Sequence, residues 1–265
     1  MIRQWGLALA CAAAGNAAAQ PWDSDSGVPS VEWRGRLELK RINTSRGTPE
    51  ETTRTAARVE TFLDGAVALL RVDLPFPDAE TDFDGSPFDP RLGDIKVRTG
   101  FRPLKSGALS FPSFAELTVP SASPSSLGTG KYQLGMGIRM LAPFKAPVSG
   151  AQAHAMRFEA EVSQTTSFLG DAARADVNYT KLELSFYDFW REQYTFKLKL
   201  KPAWDHVRDA AGAVAEVEAG FYLGEKHGAQ RAWRTWLMLG ARVAGPADVS
   251  STYNTRVELG LARTF

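Results

Sequence analysis

Apolar and polar residues alternate along most of the chain, and the closing stretch TYNTRVELGLARTF shows the pattern clearly. Val257, Leu259 and Leu261 fall on one face, while Arg256 and Glu258 fall on the other. A period of two is typical of a β-strand whose two faces meet different surroundings. The pattern recurs in twelve segments, and helical periodicity is rare. The predicted strands are 31–42, 53–63, 66–76, 93–104, 109–120, 131–144, 153–167, 175–190, 193–204, 212–224, 231–244 and 252–265.

The lengths of these segments and of their connections indicate a barrel that crosses a membrane. Most segments have at least ten residues, whereas a globular strand has about five or six and a membrane-spanning strand needs about 9–11. Tight turns such as Asp64-Gly65 follow strands 2, 4 and 8, and longer polar loops follow strands 1, 3, 5 and 11. We therefore predict an all-β fold: a closed, antiparallel, up-and-down transmembrane β-barrel of about twelve strands, with both termini on the periplasmic side.

The first residues resemble a secretory signal. Arg3 precedes an apolar run, and Ala17 to Ala19 form a small-residue cleavage site before Gln20. The expected organisation is a signal peptide at 1–19 and an outer-membrane barrel at 20–265. A buried N-terminal helix and a lipoprotein signal cut before Cys11 are the alternatives. Cys11 is the sole cysteine, so a chain starting at Gln20 has neither a disulfide nor a zinc–thiolate site.

Charged residues occupy the second face of many strands. Lys197, Lys199 and Lys201 alternate with apolar residues, and a charge facing lipid at mid-membrane costs up to several kcal/mol. These charges must therefore point into the barrel. The predicted lumen-facing charges are Arg34, Arg36, Glu38, Lys40, Arg157, Glu159, Glu161, Lys181, Glu183, Lys197, Lys199, Lys201, Glu216, Glu218, Arg256 and Glu258.

Two interpretations of these charges compete. They could form a pore wall that selects small solutes, or a self-compensating network that fills a narrow barrel. The second accounts for most of the charges and leaves room for a narrow path beside them. A hairpin centred on 207–211 would place Lys201 opposite Glu216 and Lys199 opposite Glu218, where opposite charges stabilise the ladder modestly.

Candidate chemistry is sparse. None of His154, His206 and His227 has the His-x-Ser pair of barrel lipid hydrolases, and Asp205 and His206 are neighbours that should point to opposite faces. We assign no catalytic residue, no cofactor and no metal site. The acidic loop 78–88 contains a fragment of a calcium loop without its closing glutamate, so a solvated loop is favoured. Lys and Arg number 31 against 30 Asp and Glu, which offers no general attraction to nucleic acid.

One stretch resembles a known family. Gly93-Asp94, then Pro120, Ala122, the run 126–131 and Leu134-Gly135 are similar to the pattern of the phenol meta-pathway-associated (Phenol_MetA_deg-type) family of bacterial outer-membrane proteins. The resemblance covers about a fifth of the chain. It implies an outer-membrane barrel linked to uptake of aromatic or other hydrophobic compounds, and it carries over no catalytic or binding residues.

The chain ends on Phe265, after apolar residues at alternate positions. This ending resembles the signal read by the outer-membrane assembly machinery, although Arg263 departs from it, and the alternative is a simple girdle residue. The expected partners are outer-membrane lipid, that machinery with periplasmic chaperones, and a small-molecule solute. We expect a passive channel or transporter for small molecules in the cell outer membrane. The alternatives are an outer-membrane lipid-modifying enzyme or protease, and a plugged structural or sensory barrel without flux.

Overall fold

A computed structural model of the chain describes residues 35–45, 51–63, 66–78, 90–123, 125–145, 154–190, 193–227, 230–246 and 249–265. Twelve strands form one closed antiparallel barrel in which each strand pairs with its neighbours in sequence and the last strand pairs with the first. The strands are β1 (Gly35–Thr44), β2 (Thr52–Phe62), β3 (Val67–Pro77), β4 (Ile95–Ser106), β5 (Leu109–Val119), β6 (Lys131–Lys145), β7 (His154–Gly170), β8 (Asn178–Trp190), β9 (Tyr194–Asp205), β10 (Ala210–His227), β11 (Gln230–Ala244) and β12 (Thr255–Thr264).

The predicted all-β barrel of twelve strands is confirmed. β1 and β12 close the sheet, and Gly35 and Phe265 exchange two backbone hydrogen bonds of 3.0 Å at the end of that pairing. Closure matters in lipid, because an open edge would leave backbone groups without partners. The predicted signal peptide at 1–19, residues 31–34 of the predicted first strand and most of the acidic loop 78–88 lie outside the described residues.

The outer surface is apolar in the way that the alternation predicts. Phe196, Leu198 and Leu200 of β9 are each 41% exposed, whereas Thr195 and Lys197 between them are buried. Leu37, Leu39 and Leu259 continue this exposed apolar surface across the seam between β1 and β12. So much exposed apolar area is unusual for a protein in water and is suited to lipid. None of the helices in the described part of the chain is long and apolar enough to cross a membrane.

Aromatic rings gather near strand ends, as a membrane barrel requires. Tyr194 packs against Trp190 and Phe221, with ring centroids 5.6 and 5.2 Å apart, and Trp204 is exposed at the opposite end of β9. Tyr253, which falls within the predicted strand 252–265, is placed differently. Its hydroxyl donates a hydrogen bond to the inward-facing Glu216, because Tyr253 precedes β12 and escapes the alternation of that strand.

The pairing of β9 with β10 differs from the predicted register by two residues. Glu216 faces Lys199, and Glu218 faces Lys197. The turn is shorter than expected, because the Asp205 carboxylate accepts hydrogen bonds from the backbone N–H groups of Val207 and Arg208 at 3.0 and 3.1 Å. A shift of two residues preserves the face of every side chain. The charges therefore still point inward, and Lys201 reaches Glu216 diagonally at 2.6 Å.

Candidate functional site

The lumen contains every predicted lumen-facing charge that the structure describes. Some are almost fully buried within the barrel, including Glu38 and Glu216 at 1% exposure, and others, such as Lys181 and Glu183, line a central cavity. Arg34 lies outside the described residues. The remaining members of the predicted set inside the barrel are Arg36, Lys40, Arg157, Glu159, Glu161, Lys197, Lys199, Lys201, Glu218, Arg256 and Glu258.

One side of the lumen, formed by β9 and β10, carries opposite charges that face each other. We call Lys197, Lys199, Lys201, Glu216 and Glu218 the paired wall. Glu216 lies 2.6 Å from Lys201 and 3.6 Å from Lys199, measured between carboxylate oxygen and ammonium nitrogen. Lys199 also lies 3.8 Å from Glu218. Because the cross-strand partners have opposite charges, the ladder itself brings these ion pairs together.

Outside these strands, further cations surround the same carboxylates. Arg256 of β12 lies 3.7 Å from Glu216, and Arg234 of β11 lies 2.5 Å from Glu218. The indole of Trp236 donates a 3.0 Å hydrogen bond to Glu258, which also pairs with Arg256. Each carboxylate here is therefore shared between at least two donors, which is the arrangement that a buried carboxylate needs.

A second side of the lumen, formed by β2, β3 and β4, is richer in cations. We call Arg58, Arg71 and Arg98 the arginine wall. Arg71 and Arg98 are direct cross-strand partners, so two like charges face each other on adjacent strands. This pairing is unfavourable by itself. Glu60, which faces Arg71 across β2 and β3, and two further carboxylates offset it. These two are Asp73, which accepts from Arg58 and Arg71 at 2.5 and 2.8 Å, and Glu116, 2.8 Å from Arg98 and 3.4 Å from Arg71.

The arginine wall was not among the predicted lumen residues, although the sequence holds a signal for it. Arg98 alternates with Val97 and Thr99, and Arg58 follows Ala57 and precedes Val59, which is the same alternation that identified the other strands. What the sequence cannot provide is the register that puts Arg71 opposite Arg98, because register depends on the turns at both ends of the strands.

A cavity of about 170 Å³ lies between the walls. Eleven Lys and Arg side chains and six Glu side chains line it, together with Trp236 and Met238. A water molecule needs roughly 10–15 Å³ of such space, so the cavity has room for on the order of ten waters. The lumen thus has a small cavity with room for water, and its lining carries an excess of positive charge.

Apolar side chains narrow the lumen next to the charges. Leu69 and Phe114 are buried one step along their strands from Arg71 and Glu116, towards the end of the barrel that holds the chain termini. Gly137 leaves space for the Phe114 ring, since a Cβ there would lie 2.6 Å from it. On β3 and β5 the inward-facing residues therefore change from charged to apolar in this direction.

The residues that carry the family resemblance hold a loop in place. The Asp94 carboxylate accepts hydrogen bonds from the backbone N–H and hydroxyl of Thr129, at 2.6 and 2.8 Å, and from the N–H of Ala122 at 3.3 Å. Gly128 packs so closely that a Cβ there would lie 2.2 Å from an Asp94 oxygen. We call these contacts the Asp94 clasp. The clasp fixes the β5–β6 loop to the beginning of β4 and gives this part of the motif a structural role.

His206 does not assemble a site with the neighbouring Asp205. The Asp205 carboxylate accepts a 2.6 Å hydrogen bond from the Ser250 hydroxyl and pairs with Arg208, whereas His206 Nε2 lies 2.8 Å from the hydroxyl of Thr180. Asp205 and His206 therefore have separate partners. In the backbone register, His154 lies opposite Trp190 across β7 and β8, and His227 lies opposite Gln230 next to the β10–β11 turn. Within the described ranges, no group of three His, Cys, Asp or Glu side chains could hold a metal ion.

Comparison with solved structures places the fold among outer-membrane channels. An outer membrane channel from Pseudomonas putida F1 matches 90% of this chain and 100% of its own, with a TM-score of 0.59 and 13% identity. The KdgM porin matches 87% of this chain and 99% of its own, with a TM-score of 0.55 and 9% identity. The NanC porin matches 87% of this chain and 100% of its own, with a TM-score of 0.57 and 7% identity.

The barrel has the fold of outer-membrane channels. No protein-family model matches the chain, and no curated protein matches it. At 7–13% identity the likeness concerns the fold. The expectation of an outer-membrane β-barrel is therefore confirmed, and membership of one particular family stays a proposal.

Proposed function

We propose that the protein is a passive outer-membrane channel for small molecules. The observation that carries this proposal is the cavity inside a lipid-type barrel, lined by seventeen charged side chains. A barrel stabilised by its interior alone has no need for an unfilled space of about 170 Å³ bordered by charges. The shared fold with the Pseudomonas putida F1 channel and with the KdgM and NanC porins supports the same function.

The nature of the lining favours small polar solutes along the lumen axis. The resemblance of the 93–140 stretch to the phenol meta-pathway-associated family would add aromatic or other hydrophobic compounds to the cargo. The hydrogen bonds of the Asp94 clasp give several residues of that resemblance a structural role, which does not require a cargo. An aromatic compound that carries a charged group would fit both the resemblance and the lining.

The remaining expectations belong to the same proposal. Lipid contacts the exposed apolar face, and the assembly machinery with its chaperones delivers the barrel, with Phe265 as the recognition signal. The main rival is a plugged barrel without flux, since the lumen is narrow. An enzyme is disfavoured because Asp205 and His206 have different hydrogen-bond partners, Ser250 and Thr180.

Current recordings test the proposal. Purified protein in planar lipid bilayers should give discrete current steps. Lys181→Gln, which changes the cavity lining, should alter the step size, whereas Phe196→Leu, on the lipid face, should leave it unchanged. Folded protein that inserts without producing current steps would contradict a channel, and steps insensitive to Lys181→Gln would point to a path outside the described lumen.

A further inference from the structure

The charges of the cavity lining do not balance. Eleven cations and six carboxylates face the same narrow space. Each carboxylate is already shared by several cations. Glu38, for example, lies 2.7 Å from Arg36 and 3.5 Å from Arg58, and it also pairs with Lys40. The carboxylates therefore leave part of the positive potential of the lumen uncompensated.

The arginine wall carries part of this imbalance. Three guanidiniums and Lys96 share Asp73 and Glu116. Two further carboxylates lie near the wall: Glu38, which Arg36 and Lys40 also contact, and Glu60, which faces Arg71 across β2 and β3 and lies 4.0 Å from Arg36. Arg58, Arg71 and Arg98 all line the cavity, so water and solutes can reach this part of the wall.

The chemistry of the wall suits a particular class of ligand. A guanidinium offers a rigid fork of N–H donors that matches the two oxygens of a carboxylate, and it loses little hydration on binding. Arg71 and Arg98 face each other across adjacent strands, so an anion between them would relieve their mutual repulsion. In a narrow space of low dielectric, this attraction is stronger than in bulk water.

We propose that the arginine wall binds small organic carboxylates and thereby makes the lumen anion-selective. The cavity volume of about 170 Å³ limits the ligand to a small acid, and an aromatic acid such as benzoate falls within this class. The selectivity rests on the channel proposed above, whereas binding to the wall does not require flux.

Reversal potentials under a potassium chloride gradient test the selectivity. The unmodified barrel should favour chloride over potassium, and replacing chloride by benzoate should keep the anion preference. Arg71→Gln with Arg98→Gln should move the reversal potential towards zero, and Glu116→Gln should move it the other way. Lys105→Gln, an exposed site at the β4–β5 turn, should leave it unchanged. A current that prefers potassium, or variants without effect, would overturn the selectivity while the channel itself stands.

Binding is tested without any current. Adding sodium benzoate at constant ionic strength should raise the unfolding midpoint of the unmodified barrel more than sodium chloride does. The rise should be lost in the double arginine variant and kept in Lys105→Gln. If the double arginine variant is folded, as judged by heat modifiability, and still responds to benzoate as strongly as the unmodified protein, the arginine wall is not the binding site. A barrel that shows the specific rise but no current would refute the channel and leave the binding site in place.

Discussion

The two charged walls of the lumen differ in one strand pairing. In the paired wall, the register of β9 and β10 sets Lys199 against Glu216, so each strand supplies the counter-charge of the other. The arginine wall also has opposite charges across β2–β3 and β4–β5, but the register of β3 and β4 sets Arg71 against Arg98. A sheet stabilised only by its interior would avoid the second arrangement. Under the proposal above, the paired wall serves stability, and the Arg71–Arg98 pairing serves the solute.

The largest expected effect is the loss of stability when the centre of the paired wall is removed. Glu216→Gln would leave Lys199, Lys201 and Arg256 without the carboxylate that they share, and breaking a buried ion pair costs about 3–5 kcal/mol. Unfolding of the lipid-reconstituted barrel in urea measures this loss.

Glu116→Gln is the matched control in the arginine wall. The Glu116 side chain is 15% exposed, whereas that of Glu216 is 0% exposed, so cavity water can hydrate the cations that Glu116 leaves behind. We expect a clearly smaller loss of unfolding free energy. Equal losses for the two variants would remove the distinction between the walls.

Double-mutant cycles sharpen the contrast. Lys199→Gln with Glu216→Gln should reveal a stabilising coupling of roughly 0.5–3 kcal/mol, the usual range for residues in one ion-pair network. Arg71→Gln with Arg98→Gln should give a coupling of opposite sign, because these two residues repel each other. Both cycles use the free energy of unfolding under identical conditions. A stabilising coupling between the two arginines would show that their wall is also internally compensated.

The Asp94 clasp holds β4, and hence the arginine wall, next to the β5–β6 loop. Asp94→Ala should cost about 1 kcal/mol per lost hydrogen bond to Thr129 and should speed amide exchange in the loop. Asp205→Ala is the counterpart at the paired wall, since Asp205 holds Ser250. It should loosen the β11–β12 connection and leave the β5–β6 loop protected. If Asp94→Ala left amide exchange in the β5–β6 loop unchanged, the clasp would have no role.

The smallest effect is expected for the pair between Lys131 and the exposed Asp176, which lie 3.0 Å apart at the surface. The hydrogen bond and charge of Lys131 lower the pKa of the Asp176 carboxyl below its ordinary value. A lowered folded-state pKa means that the contribution is present above the unfolded-state pKa and is lost as the pH falls through the folded-state pKa. Asp176→Asn should therefore alter stability slightly at pH 7 and not at strongly acidic pH. An acid-sensitive loss as large as that of Glu216→Gln would contradict the assignment of this pair as a surface contact.

The alternation of residues was sufficient to predict the strands and the inward face of most charges. The face on which a side chain lies depends only on whether its position along the strand is odd or even. The two-residue error in the β9–β10 register therefore left Lys199 and Glu216 on the predicted side. Register depends on the turn, and the Asp205 carboxylate that shortens this turn could not be recognised from spacing.

Other features depend on contacts between distant parts of the chain. Asp94 and Thr129 are 35 residues apart, and the facing of Arg71 and Arg98 requires the register of β3 with β4. Tyr253 falls within the predicted strand 252–265 but lies before β12, where the alternation of the strand no longer fixes the direction of its side chain. The site could therefore be predicted as a charged lumen, but its division into two walls could not.

The central claim is that the charged face lines a water-filled path that favours anions. Adjacent positions on β4 test it directly: Arg98→Cys on the lumen face and Val97→Cys beside it. In lipid vesicles, a small anionic methanethiosulfonate should modify Arg98→Cys and not Val97→Cys. It should also react faster than a cationic analogue, relative to their rates at the exposed Ser106→Cys. Equal labelling of the two β4 variants, or a faster cationic reagent at Arg98→Cys, would contradict the claim.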